Sequence, residues 1–333
     1  MDFNWQYFKE DVRDFISQHK FLLIGLTVVL IIVLLLVKFI FGIYNAADKS
    51  YENVKREHGT ALTSDPSLKR NMGVMLLGLD KNQGGESQRA DSIMVVMYDS
   101  YGNKAKTIRI PRDLYVKTDD YEGKINGLYE KEGVDGMMDE VSDYVGIPIT
   151  HYVKTDFEGL TNIVDSIGGI DLDSNITIDD SNNKQVGSDI HIKKGRVHLN
   201  GKEALAYSRI RYIDNDIKRG ERQQQVIHAI ATKLTQASSI PKLDSNLQDL
   251  SPYVKTNIKI SDIASRLSGV SGEPRMTPVH FDWKPFDYHK ESYVKITKSE
   301  RERISKELRA VVGLKPIELT PLLTDPTDDK EVE

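Results

Sequence analysis

Four arginines, Arg209, Arg211, Arg219 and Arg222, fall within fourteen residues of the stretch YSRIRYIDNDIKRGERQQQV, with Asp214 and Asp216 between them. Arginine presents a rigid fork of donors that matches phosphate oxygens in pairs, and a helix N-terminus adds amide donors and a favourable dipole. Such a set suits the holding of a phosphate or diphosphate. The alternative is a solvated charge run, with Asp214, Asp216 and Glu221 as surface ion pairs. Spacing favours the ligand. In YSRIRYI, β-branched and aromatic residues alternate with other types, which predicts a strand with Arg209, Arg211 and Ile213 on one face. From Arg219 the period becomes helical, through Arg222, Gln223, Val226, Ile230 and Leu234. The apolar members of that stripe face a core. Its polar start must then lie at a cleft rim, because an isolated buried charge is too costly.

A second candidate is carboxylate. NMGVMLLGLD predicts a buried strand ending at Asp80, KNQGGESQRAD a loop, and SIMVVMYD a further strand. Asp80 and Asp91 thus stand at neighbouring strand ends. Two carboxylates there suit a hard cation such as Mg²⁺, which is commonly held by one or two carboxylates plus substrate phosphates. Ordinary turn aspartates give the same pattern.

The elements that position these residues follow in order. KAKTIRIPRDLYV predicts a strand and a turn at Pro111, with Arg112 and Asp113 just beyond. Lys124 and Asn126 fall in a loop before a helix from about Val134 to Val145, stopped by Gly146 and Pro148. HYVKTDF reads as a strand and FEGLTNIVDSIGGI as a helix ending at Gly168 and Gly169. After the arginine stretch, the segment to Val270 reads as helical, with breaks at Pro241 and Pro252. An aromatic-rich strand or loop region follows, and Thr297 with Glu300 predicts a capping box for a last helix. Strands alternating with helices predict an α/β or α+β fold around a central sheet.

The whole chain has 333 residues, a net charge of −5 and no cysteine. Disulfides and thiolate metal sites are thereby excluded, and a nucleic-acid partner, which calls for a broadly basic surface, is argued against. No phosphate loop, dinucleotide fingerprint, zinc-binding H-E-x-x-H or serine elbow occurs. Phe21 to Val37 is an uncharged apolar run that continues past Lys38 to Tyr44. It is long enough to span a bilayer core of about 30 Å, and an acidic leader with no small-residue cleavage site argues for an uncleaved anchor. The charge bias of its flanks does not decide its orientation. The expected organisation is a short N-terminus over 1–20, an anchor over 21–44, a stalk over 45–70, a catalytic domain over 71–240, a packed C-terminal extension over 241–314 and a disordered acidic tail over 315–333.

The run LLGLD, RADS, IPRD, KIN and then ALAYSRIRYIDNDIKRGERQQQ resembles the LytR-CpsA-Psr family of Gram-positive cell envelopes. The motifs come in family order over roughly residues 71 to 240, and Lys218 stands where the family often has Gly. The resemblance implies a mixed central β-sheet flanked by helices on both sides, preceded by one transmembrane helix, with an apolar pocket for a lipid chain. It implies a membrane-bound enzyme, N-terminus cytoplasmic and catalytic domain outside. Its activity would be transfer of anionic glycopolymers, such as wall teichoic acid or capsule, from a polyprenyl-diphosphate carrier to a peptidoglycan acceptor. By motif match, Asp80 and Asp91 would hold Mg²⁺ or Mn²⁺. Arg89, Arg112, Arg209, Arg211 and Arg219 would hold the diphosphate, with Gln223 beside them. Arg222 also belongs to that set, and Asp216, Lys124 and Asn126 support it. Asp91, Arg89, Arg112, Arg209 and Arg211 are the expected catalytic residues. A diphosphate hydrolase and a non-catalytic envelope regulator are the competing functions.

Overall fold

A computed structural model describes residues 48–53, 68, 71–81, 88–183, 188–210, 213, 216–234, 252–259 and 275–319. The anchor expected over 21–44 lies outside them, and among the described residues no helix is long and apolar enough to cross a membrane. The first half of the fold comprises strands β1 (Met72–Lys81), β2 (Gln88–Asp99), β3 (Lys104–Ile110), β4 (Tyr115–Lys117), β5 (Glu122–Lys124) and β6 (His151–Asp156), with helices α1 (Ile125–Val145) and α2 (Phe157–Ser166). The hairpin strands β7 (Ile170–Ser174), β8 (Ile178–Asn183), β9 (Ser188–Ile192) and β10 (Gly195–Leu199) follow, then α3 (Gly201–Arg209) and α4 (Asp216–Leu234). The chain continues through β11 (Val254–Thr256), β12 (Arg275–Pro278), β13 (Lys284–Tyr288), β14 (Glu291–Lys295) and α5 (Lys298–Val311).

The main sheet runs β11-β6-β1-β2-β3-β12. It is mixed, because β1–β6 and β3–β12 pair in parallel while its other neighbours are antiparallel. The central strands read as near-continuous apolar runs because both of their faces are covered. Met75, Leu77, Ile93, Val95, Met97, Ile108 and Ile110 point into one core, which α1 closes with Leu128, Met137, Met138 and Val141 and α5 with Ile304 and Leu308. Arg109 lies on the other face of β3, and a side-chain carbon added at Gly220 of α4 would sit 2.7 Å from its Cδ. That face carries α2 and α4. A second core unites Val164 of α2, Ile170 and Leu172 of β7, Tyr207 of α3 and Val226 and Ala229 of α4. Helices therefore lie on both faces.

Several boundaries differ from expectation. The helix expected from Val134 to Val145 is present, set off by Gly133, whose φ of 67° breaks the helical run; a further helical segment from Ile125 precedes it within α1. Lys124 and Asn126 thus sit at a strand end and in a first helical turn, not in a loop. The segment from α4 to Val270 was expected to be helical with breaks at Pro241 and Pro252, but residues 254–256 form an edge strand pairing with β6, flanked by a turn at 252–253 and non-helical residues 257–259; the rest of that segment lies outside the described residues. The capping box does not form: the Thr297 hydroxyl makes no cap and lies 3.3 Å from Ser299 Oγ, while Glu300 accepts from Asp282 N–H and from Arg303. The acidic tail was expected to begin at 315, yet Leu319 is buried, with a methyl group against Gly146. Before the sheet, Tyr51 bridges to Thr256, so this part of the expected stalk docks on the sheet edge.

Glu140 of α1 supplies a pH dependence. Burial, reinforced by Asp143 and Glu132 and only partly relieved by Arg301, pushes its carboxyl up from 4.5 to about 7. The folded state therefore favours the neutral acid. The stability it contributes is fully present below 4.5 and is lost as pH rises through about 7. Glu140→Gln is expected to stabilise the protein at pH 8 by about 1–2 kcal/mol and to leave pH 4.5 stability unchanged. Urea denaturation at both pH values checks this; parallel losses at both would exclude Glu140 as the source.

Candidate active site

The site begins at an irregularity in the β1–β2 pair. Gly78 pairs with Ser92 but Leu79 pairs with Ala90, so Asp91 is the extra residue of a β-bulge. Strict alternation would have placed Asp91 on the same face as Ile93 and Val95, inside the first core. The bulge takes it out of that face, a common device for re-aiming a side chain beside a site. Ala90 returns to the core and Asp91 reaches the cleft side with Asp80 and Ser92. The sequence carries a trace of this in the broken period of RADSI.

Asp91 is held from two sides. Arg112 Nη1 donates to its Oδ2 at 3.2 Å, and Asn126 Nδ2 donates to its Oδ1 at 3.3 Å. Asn126 is itself fixed, its backbone N–H donating to the Arg112 carbonyl at 3.2 Å. The turn after β3 and the first turn of α1 thus converge on one carboxylate. Asp113 extends the network, 3.7 Å from Arg112 Nε and 3.3 Å from Lys124 Nζ. Lys124 is spent on that pair and does not line the cleft. Arg89 is exposed and lies directly across from Asp80 in the strand register. Its side chain shares Asp80's face at the rim.

The opposite wall is helical. YSRIRYI was expected as a strand, but Tyr207, Ser208 and Arg209 form the end of α3. A capping box between Asn200 and Glu203 starts that helix, and Tyr207 buries its ring in the second core. Arg209 stacks its guanidinium 3.7 Å above the centre of the Phe157 ring, at the start of α2. Arg219 and Gln223 come from α4, whose stripe puts these two polar members at the cleft and Val226 and Ile230 towards the second core. Gln223 Nε2 donates to the Ser208 carbonyl at 3.4 Å. Its buried Oε1 accepts no hydrogen bond among the described residues. Arg222 is placed differently from expectation. It is fully buried, donating from Nε to the Tyr207 carbonyl at 3.0 Å and from Nη2 to the Ile210 carbonyl at 2.7 Å. It closes the C-terminus of α3 and does not line the cleft. Arg211 and the side chain of Asp216 lie outside the described residues.

These walls enclose a cleft of about 370 Å³ lined by Asp80, Asp91, Arg112, Arg209, Arg219 and Gln223, with Gly78, Ser92 and Phe157. Phe157 and Ser92 were not legible as site residues; the RADS motif pointed to the second only indirectly. Three guanidinium groups facing two carboxylates can accept an anion and, beside it, a hard cation. Among the described residues no three acidic or histidine side chains gather as a metal cage. The oxygen-only pair Asp80 and Asp91 nevertheless fits a magnesium-like ion that takes its other ligands from phosphate and water. Each Asp91 oxygen accepts one hydrogen bond and keeps a further lone pair.

The LytR_cpsA_psr family profile matches residues 37–310. The chain belongs to that family. The LytR_cpsA_psr relatives include a polyisoprenyl-teichoic acid–peptidoglycan teichoic acid transferase, TagV, of Bacillus subtilis, 35% identical over 227 residues. That match covers 66% of this chain and 58% of the relative, so the chain spans less than two thirds of its length. A transferase of the same description, TagU of Enterococcus faecalis, is 30% identical over 285 residues, covering 84% of this chain and 91% of the relative. The crystal structure of B. subtilis TagV superposes with a TM-score of 0.62 at 30% identity, over 74% of this chain and 99% of that one. This likeness agrees with the mixed α/β architecture of the family.

Proposed function

We propose that this chain is a membrane-anchored phosphotransferase that moves an anionic glycopolymer from a polyprenyl-diphosphate carrier to peptidoglycan. The observation that carries the reading is the cleft in which Asp80, Asp91 and Arg112 from the sheet meet Arg209 and Arg219 from the helices. It is supported by relatives whose names describe teichoic acid transfer to peptidoglycan. The apolar run over 21–44 serves as the anchor, with the catalytic domain on the extracytoplasmic side.

In phosphoryl transfer the protein supplies mainly positioning and charge neutralisation. An acceptor sugar hydroxyl attacks the glycan-side phosphorus of the diphosphate. A new phosphorus–oxygen bond forms to the sugar, the bond to the bridging oxygen breaks, and polyprenyl phosphate leaves. Arg209 and Arg219 hold the non-bridging oxygens from the helical wall, and Arg112 does so while also orienting Asp91. Arg89, at the rim, adds positive charge where the carrier enters. Asp80 and Asp91 would hold magnesium, which would supply further neutralisation of phosphate charge. The hydroxyl proton passes to solvent or to a carboxylate; Asp91, held by Arg112 and Asn126, is oriented for charge more than free to swing as a base.

The test uses the full-length chain, a short-chain polyprenyl-diphosphate glycan, peptidoglycan oligomers and Mg²⁺, with mass spectrometry of the products. The wild type should form the glycan-phosphate–peptidoglycan adduct. Arg209→Ala should reduce the rate by about 10²-fold or more, the usual cost of removing a preorganised charge donor. Free phosphorylated glycan without adduct would instead identify a hydrolase. Binding without turnover across several acceptors would identify a regulator.

A further inference from the structure

A second groove adjoins the arginine cleft. One part, of about 520 Å³, lies between β3, α4 and residues 279–283, with Glu221, Gln224, Asp282, Trp283, Glu300 and Arg303 among its lining. A neighbouring part, of about 410 Å³, continues along α4 to His228 and shares Glu221, Gln224 and His280 with the first. The two clefts are separated by little. Arg112 lines the arginine cleft while Pro111 lines the groove, and Arg219 lines the cleft while Gly220 lines the groove. Between them α4 packs closely on β3, where a side-chain carbon at Gly220 would fall 3.0 Å from Arg109 Nη1.

The groove's chemistry is unlike that of the cleft. Its lining carries two guanidinium groups, Arg109 and Arg303; Arg303 is committed to Glu300 at 2.7 Å and to Glu307 at 3.0 Å, and Lys218 is drawn to Glu221 at 2.9 Å. Three carboxylates, Glu221, Asp282 and Glu300, against these two guanidiniums leave the lining one negative charge in excess, which suits a neutral ligand better than a polyanion. Phe281 and Trp283 are only partly buried against the first core and offer ring surface. Aromatic rings with acceptor-rich carboxylates and amides match a neutral sugar, which has apolar C–H faces and many hydroxyl and amide donors. The wall is preformed. Val279 N–H donates to the Thr107 carbonyl at 2.7 Å, Asp282 N–H to Glu300 at 3.2 Å, and Arg303 Nη2 to the His280 carbonyl at 2.6 Å. Binding there needs little ordering of the protein.

We propose that this groove binds the acceptor as a neutral, N-acetylated oligosaccharide strand and presents its hydroxyl to the arginine cleft. The proposal rests on the transferase reading above for the word acceptor, but not for the binding itself. The chain has two tryptophans, Trp5 and Trp283. In full-length Trp5→Phe protein, Trp283 is therefore the sole tryptophan, and titration with tetra-N-acetylchitotetraose should produce a saturable blue shift of its emission. Absence of any shift up to millimolar sugar would overturn the proposal. In the transfer assay, Gln224→Ala on the helix surface and Trp283→Ala should each raise the KM for acceptor about tenfold, equivalent to 1.4 kcal/mol, with the KM for carrier unchanged. An unchanged acceptor KM in a folded Gln224→Ala variant would overturn it while leaving the transferase reading intact. A sugar-induced shift in protein that forms no adduct would uphold the groove and refute the transferase reading.

Discussion

Asp91→Ala is expected to abolish transfer to within detection, a loss of at least about 10³-fold, without unfolding the protein. The carboxylate serves several partners at once. It receives Arg112 and Asn126, and with Asp80 it is half of the oxygen pair facing the cleft. Its removal leaves Arg112 without the partner that orients it and leaves a cation with one protein carboxylate. Its side chain is about a quarter exposed and lies outside both cores, so stability should change little. Asp91→Asn separates the roles. It keeps an oxygen for Arg112, but its amide nitrogen meets another donor at Asn126, and the charge is gone. If charge is what matters, Asn is nearly as inactive as Ala, and raising Mg²⁺ does not restore it. A rate above a tenth of wild type in Asp91→Ala, measured by adduct formation with the melting curve as control, would remove Asp91 from the machinery.

Arg222→Ala should act through stability instead. Its guanidinium is fully buried and satisfies two backbone carbonyls, those of Tyr207 and Ile210, at the end of α3. Truncation leaves those acceptors buried and a cavity under the second core, together about 3–5 kcal/mol. At roughly 2–4 °C per kcal/mol for a domain of this size, Tm should fall by about 10 °C. Lysine keeps the charge but cannot donate in two directions from one planar group, so Arg222→Lys should recover only part of the loss. A residue that bound diphosphate directly would show the reverse pattern, with affinity lost and Tm kept. Thermal unfolding of the ligand-free variants distinguishes the two; a melting point near wild type would mean that Arg222 does not hold α3.

Much of the site could be read from residue order because its parts obey simple periods. The stripe from Arg219 to Ile230 has helical spacing and is a helix, polar at the cleft and apolar at the core. The β1–β2 pair and the turn at Pro111 likewise follow from apolar runs and a proline. The failures came where one local pattern fits two structures. YSRIRYI alternates like a strand, yet Tyr207 to Arg209 are helical because tertiary burial of Tyr207 overrides alternation. The signal that distinguishes them lies upstream, in Asn200 and Glu203, whose reciprocal cap forms. The similar pair Thr297 and Glu300 does not form one: the Thr297 hydroxyl makes no cap, and Arg303 and the Asp282 amide compete for the glutamate. Sequence spacing cannot show that competition. The same holds for Arg222: its position on the stripe was legible, but the carbonyls that claim it are brought there only by the packing of α3 on α4.

The two separate cores make the cleft a seam. Asp80, Asp91 and Arg112 ride on the sheet, which is anchored in one core; Arg209, Arg219 and Gln223 ride on helices rooted in the other. A diphosphate bridging both walls, as proposed above, would therefore act as a clasp, stabilising the folded arrangement of the two cores by mass action in proportion to its affinity. Cleavage cuts that clasp in two, one phosphate departing with the lipid and one with the glycan. In the transferase proposed above, neither product then spans both walls, so each is held by fewer groups than the substrate was.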